Sequence, residues 1–163
     1  MKKRKKKSTV LFAAILSAAV LWGNVPAAAA QTAMDPNIIV SDSNYLDGTS
    51  PRLKYLSSVF TDMTIRGNRA DCQGNYTTFE NVKVKLQVML QKSPLNISLD
   101  SDWTKVESWD LTWTGPAQKI LARSHTGLTR GYYYRVNTTA TVLDGNMPLE
   151  TVVVHSVVSY YGG

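Results

Sequence analysis

Between Val82 and Gln91 the chain alternates without a break. Val82, Val84, Leu86, Val88 and Leu90 fall on one side, and Lys83, Lys85, Gln87, Met89 and Gln91 on the other. A period of two places these sets on opposite faces of an extended strand, one buried and one facing water. An apolar strand face has to be covered by a second layer, so this segment already points to a two-layer β fold. Two further segments repeat the pattern. In Tyr132–Leu143, Tyr132, Tyr134, Val136, Thr138, Ala140 and Val142 share a face. In Thr151–Tyr160, Val152, Val154, Ser156, Val158 and Tyr160 do so, with apolar residues on the other face as well, as in a more central or better covered strand.

Asp144-Gly145-Asn146 between the last two segments is a hairpin signal, so they are expected to pair antiparallel. Shorter strands are expected at Tyr55–Phe60 with Met63–Arg66, Ala70–Thr77, Lys105–Trp109 and Lys119–Ser124. Turn residues separate them at Gly67-Asn68, Ser93–Asp102, Gly115-Pro116 and Thr126-Gly127. No stretch carries a helical face of useful length, and β-branched and aromatic residues dominate. About seven short strands with regular turns predict an all-β antiparallel sandwich of immunoglobulin type over 53–163, with an up-and-down barrel as the alternative.

The N-terminus is of a different kind. Lys2, Lys3, Arg4, Lys5, Lys6 and Lys7 precede an apolar run from Val10 to Trp22, and the segment closes on Ala27-Ala28-Ala29-Ala30. A basic start, a short apolar core and a small-residue A-x-A end make a helical signal peptide over 1–30, with cleavage expected between Ala30 and Gln31. The apolar run falls short of the ~20 residues of a membrane span. Residues 31–52, rich in Asp, Asn, Ser, Pro and Gly, read as a flexible lead-in in which Ile38–Val40 can add an edge strand.

Removing the leader changes the electrostatics. The 163-residue chain has 18 Lys+Arg against 12 Asp+Glu, a net charge of +6, and all six excess cations lie in the leader. The remainder carries 12 of each sign. The basic character therefore argues for neither nucleic acid nor an anionic membrane as partner. The nearest basic grouping is Arg66, Arg69 and the Lys83/Lys85 pair, with acids interleaved. The single cysteine, Cys72, cannot form an intramolecular bridge. A domain of this length can hold itself together by its core.

Three stretches carry a resemblance: Leu90-Gln91-Lys92, Trp103-Thr104-Lys105-Val106-Glu107-Ser108-Trp109, and Gly131-Tyr132-Tyr133-Tyr134-Arg135-Val136. Together they resemble an uncharacterised family of small exported β-sandwich proteins of Gram-positive bacteria, over roughly Leu56–Tyr160. The resemblance implies a fold and an export route, and no activity or functional residue. Tyr134, just after Gly131, has the place of a tyrosine that bonds its hydroxyl back to the preceding turn of a sandwich. Trp103 and Trp109, six apart, are expected on one face if the stretch is a single extended strand.

Candidate chemistry is sparse. Cys72 with His125 or His155 would make a thiol–imidazole pair, but Cys72 alternates with Ala70 and Gly74 and reads as a small core residue. Asp100 and Asp102 lack the glycine, the third acid and the distal Glu of an EF-hand loop and read as a solvated turn. No zinc cluster, phosphate loop or nucleophile elbow is evident, so no catalytic, cofactor or metal residue is expected. The sequons at Asn75, Asn96 and Asn137 are expected to stay unglycosylated in a bacterium. Trp109, Leu111 and Trp113 alternate onto one face, and Tyr132 and Tyr133 take opposite faces. Trp113 and Tyr133 are the candidate surface-binding aromatics. The reading is a secreted, non-enzymatic β-sandwich that binds a protein or glycan at a cell surface. A bacteriocin-like secreted antagonist is the alternative.

Overall fold

A computed structural model describes residues 38–41, 45–47, 53–96, 99–115 and 118–163. They fall within one compact unit, Ala33–Gly163. The leader, its cleavage point at Ala30 and Gln31, and much of the lead-in lie outside the described residues.

Seven long strands, of 9 to 13 residues each, make the frame: β3 (Leu56–Arg66), β4 (Arg69–Thr78), β5 (Val82–Ser93), β6 (Thr104–Gly115), β7 (Gln118–Thr126), β8 (Tyr132–Asp144) and β9 (Met147–His155). Three short strands join them: β1 (Ile38–Ser41), β2 (Tyr45–Asp47) and β10 (Ser159–Tyr161). One sheet has the order β1-β9-β8-β5-β6 with β10 beside β8, and the other β2-β3-β4-β7. The chain is an antiparallel β-sandwich of immunoglobulin-like architecture. One pairing is an exception, because β1, from the lead-in, runs parallel to β9.

The core is the alternating set expected from the sequence. Val84, Leu86, Val88 and Leu90 of β5, with Val136, Ala140 and Val142 of β8 and Val152 and Val154 of β9, are buried against Leu56, Val59, Met63, Ala70, Cys72, Tyr76 and Leu121 of the other sheet. Gly74 of β4 is the point of closest approach. A Cβ there would lie 2.6 Å from Val88 and 2.7 Å from Thr138. The hairpin signal holds: β8 and β9 pair from Asp144↔Met147 to Asn137↔His155, and Gly145 takes the left-handed φ of 60° that this turn requires.

Two expectations fail, both through a change of phase. In β6, Leu90 opposes Glu107 and Gln91 opposes Lys105, so Val106 is an inserted bulge residue. A bulge turns the residues before it to the opposite face. Trp109 packs on the core, whereas Trp103 lies on the outer face of the six-stranded sheet, so the two do not share a face. Similarly, Thr151–Tyr160 is not one strand. β9 ends at His155, Ser156 bonds Val136 through both its backbone N–H and its hydroxyl, and the chain resumes pairing as β10 with Tyr160 opposite Tyr133.

Two clips hold the ends. Tyr134 Oη accepts the Thr129 N–H at 2.7 Å and donates to the Thr129 carbonyl at 3.1 Å, the hydroxyl-to-turn bond expected of this tyrosine. The buried carboxylate of Glu150 on β9 accepts the N–H groups of Lys54, Tyr55 and Leu56 at 2.7, 3.1 and 3.0 Å, pinning the entry to β3 against the other sheet.

Candidate binding surfaces

Strand order gathers four connections at one end of the sandwich: β2–β3, β4–β5, β6–β7 and β8–β9. Three large apolar side chains stand exposed there. They are Phe79 after β4 at 58%, Trp113 near the end of β6 at 45%, and Met147 at the start of β9 at 67%. Trp113 follows the core phase of Trp109 and Leu111. It opposes Val84 near the start of β5, where the layer runs out and no residue of the opposite sheet fully covers it. Lys119 of β7 lies over the indole at 3.7 Å, so one face of the ring carries a cation while the side chain as a whole stays 45% exposed.

Tyr133 lies elsewhere. It opposes Ser93 on β5 and Tyr160 on β10, and its ring packs on Tyr160 at 4.9 Å between centroids, tilted by 47°. Tyr133 is half-buried and Tyr160 exposed, whereas Tyr132 packs against the core under Lys92. Trp113 and Tyr133 thus register with positions 84 and 93 of β5, separated by about 30 Å at the rise of an extended strand. The two candidate aromatics belong to opposite ends and cannot form one small binding face.

Beside the tyrosine pair, the outer face of β8 and β5 is covered. Arg135 is buried there, donating to Gln91 Oε1 at 2.9 Å and to Asp100 Oδ1 at 2.5 Å, with its guanidinium 4.4 Å from the centre of the Trp103 ring. His155 stands 3.8 Å from the same Asp100 oxygen. Asp100 begins the short 3-10 turn Asp100–Asp102, and its carboxylate is engaged in holding that turn on the sheet. Among the described residues no three His, Cys, Asp or Glu side chains are grouped to hold a metal.

Cys72 is buried on the inner face of β4, and burial first, with Asp71 and Glu107 adding, pushes its thiol up to about 12. His125 Nδ1 is engaged with Glu107 at 2.6 Å, bridging β7 to β6 where the two sheets meet at their open side. His155 is on the outer face of the other sheet, so Cys72 and His155 are not brought together. The sequence reading did not mark Phe79 or Met147. The signal available was an apolar residue placed in a turn cluster.

No protein-family model matches the chain, and no curated protein does. Solved structures similar in fold include the sporulation control protein Spo0M from Bacillus subtilis, at 11% identity and TM-score 0.42, over 68% of this chain and 51% of that one. OgpA from Akkermansia muciniphila is similar at 15% identity and TM-score 0.41, over 63% of this chain and 28% of that one. The CARDB domain of PF1109 from Pyrococcus furiosus is similar at 16% identity and TM-score 0.36, over 64% of this chain and 94% of that one. The chain spans about half or less of the first two.

Proposed function

We propose that this protein is exported, loses its leader between Ala30 and Gln31, and works outside the cell as a non-enzymatic module that binds a protein or glycan at a cell surface. The observation that carries the reading is the exposure of Phe79, Trp113 and Met147 on, or at the strand ends beside, the connections at one end of the sandwich. Exposed aromatic and Met side chains at the loop end of a fixed scaffold suit a contact surface. The exposed part of the Trp113 indole suits either a sugar ring or an apolar side chain of a partner. Grouping the chain with the small exported β-sandwich proteins of Gram-positive bacteria, by its L-Q-K, W-x-x-V-x-S-W and G-Y-Y-Y-R-V stretches, is part of the same proposal.

The test is binding of labelled purified protein to Gram-positive cells, to isolated cell walls and to a glycan array. Wild type is expected to bind at least one of these, and a Trp113→Ala, Phe79→Ser double variant, folded by circular dichroism, to bind at least tenfold more weakly. Equal binding by the double variant removes the reading. Growth inhibition of neighbouring bacteria by the purified protein would replace it with the bacteriocin-like antagonist.

A further inference from the structure

The outer face of the four-stranded sheet carries a depression of about 370 Å³, within the size range of small-molecule sites. Cross-strand register builds it in three rows. Asp62 of β3 lies beside Gln73 of β4 and Ala122 of β7; Thr64 beside Asp71 and Ser124; and Arg66 beside Arg69 and Thr126. The small side chains of Ala122 and Ser124 leave the floor low, and the longer ones form the rim.

The charges on this face are unevenly matched. Arg69 Nε donates to Asp71 Oδ1 at 2.7 Å, its Nη2 donates to Ser124 Oγ at 2.8 Å, and that hydroxyl donates to the same Asp71 oxygen at 2.7 Å. The Ser124 hydroxyl and then Arg69 hold the Asp71 carboxyl below its ordinary range, so this ring of three stays charged and fixed. Arg66 sits directly opposite Arg69 across the Gly67-Asn68 hairpin, a like-charge pairing that costs stability in a sheet. Arg123 opposes Cys72 and so leaves β7 on the other phase from Ala122 and Ser124; it borders the depression at the edge strand and donates through Nη1 to the Ala122 carbonyl at 2.9 Å. Neither Arg66 nor Arg123 forms an ion pair with a carboxylate among the described residues, although the Arg66 charge also acts on Asp71. A cavity of this size bordered by two arginines that form no ion pair is suited to an anion. Asp62 and Asp71 on the same face repel a polyanion and favour a ligand that offers hydroxyls beside a single acid group.

We infer that this depression is a site for an anionic sugar, whose acid group is held by Arg66 and Arg123 and whose hydroxyls meet Asp62, Gln73 and Thr64. It is separate from the Trp113 end and does not depend on it. The test uses the purified full protein and four probes at constant ionic strength: glucuronate, glucose 6-phosphate, glucose and inorganic sulfate. Amide shifts in nitrogen-15 spectra report both affinity and place.

Either acidic sugar is expected to bind at least tenfold more tightly than glucose and sulfate, with shifts confined to residues 62–73 and 122–124. The tighter of the two shows whether the acid is a carboxylate or a phosphate. Arg66→Gln with Arg123→Gln is expected to lower affinity at least tenfold, and Trp113→Ala to leave it unchanged. Sulfate or glucose binding as tightly as the acidic sugars, shifts elsewhere, or an unaffected Arg double variant each overturn the assignment.

Discussion

Thr138 on β8 donates its hydroxyl to Thr61 Oγ1 on β3 at 2.8 Å, and Thr61 in turn donates to the Gln73 carbonyl at 3.2 Å. The two sheets are thus joined by a polar relay inside the core, directly over Gly74. Gly74→Ala adds a methyl where Val88 and Thr138 already crowd, and is expected to cost about 2 kcal/mol as overpacking. Thr138→Val keeps the shape and leaves Thr61 with its carbonyl partner, so its cost is expected near 1 kcal/mol. Urea unfolding of both variants checks the order. A Gly74→Ala protein as stable as wild type would show that the sheets can slide apart there freely.

Tyr134→Phe removes the hydroxyl that both accepts from and donates to Thr129 while keeping the buried ring. The expected loss is about 1–2 kcal/mol, with faster amide exchange at Thr129 as the local sign. Thr129→Ala leaves both backbone partners in place and is expected to be near neutral.

Arg135→Ala leaves Asp100 without its cation and uncovers Trp103. The loss is expected at about 2 kcal/mol, below the 3–5 of a fully buried pair because Asp100 is exposed. Trp103 emission should shift to the red and residues 94–103 should become protease-sensitive, whereas Arg135→Lys restores charge without the planar stack and recovers only part. Unchanged emission would mean that Trp103 is held by something other than the guanidinium.

The Cys72 thiol, pushed up to about 12 against 9.0 for an ordinary thiol, is neutral in the folded protein and ionises first on unfolding. Its contribution to stability is present in full below pH 9 and declines as pH rises from there towards 12. At pH 8 the difference in thiolate fraction predicts alkylation about 1000-fold slower in the folded than in the unfolded chain. Comparing iodoacetamide labelling with and without urea measures this, and rapid labelling of the native protein would place the thiol nearer the surface.

Most of the frame was legible because side chains alternate on any strand regardless of tertiary context, so Val82–Leu90 declared its buried face on its own. The Asp144-Gly145-Asn146 turn was equally local. What escaped was non-local. The bulge at Val106 inserts one residue without altering the composition around it, and it sent Trp103 to the face opposite Trp109. The break after His155 depends on Ser156 satisfying Val136, a partner 20 positions away. Gln91 reads as outward and polar but is buried against Arg135, and Ser93, read as the start of a turn, is the buried last residue of β5 opposite Tyr133. The arginine-rimmed depression was half visible, since the Gly67-Asn68 turn sets Arg66 against Arg69. The row completed by β7 needed the strand order.

Glu150 has one more consequence. The amides of residues 54–56 close on a carboxylate 94 to 96 positions later in the chain. A chain emerging from its N-terminus can pair β3 with β4 and β5 with β6 early, but it cannot close the clip on residues 54–56 until Glu150 has emerged, and the β5–β8 pairing waits likewise for β8. Closure of the sandwich therefore comes late, and before that moment the nascent chain offers holdases and proteases hairpins whose apolar faces are still uncovered.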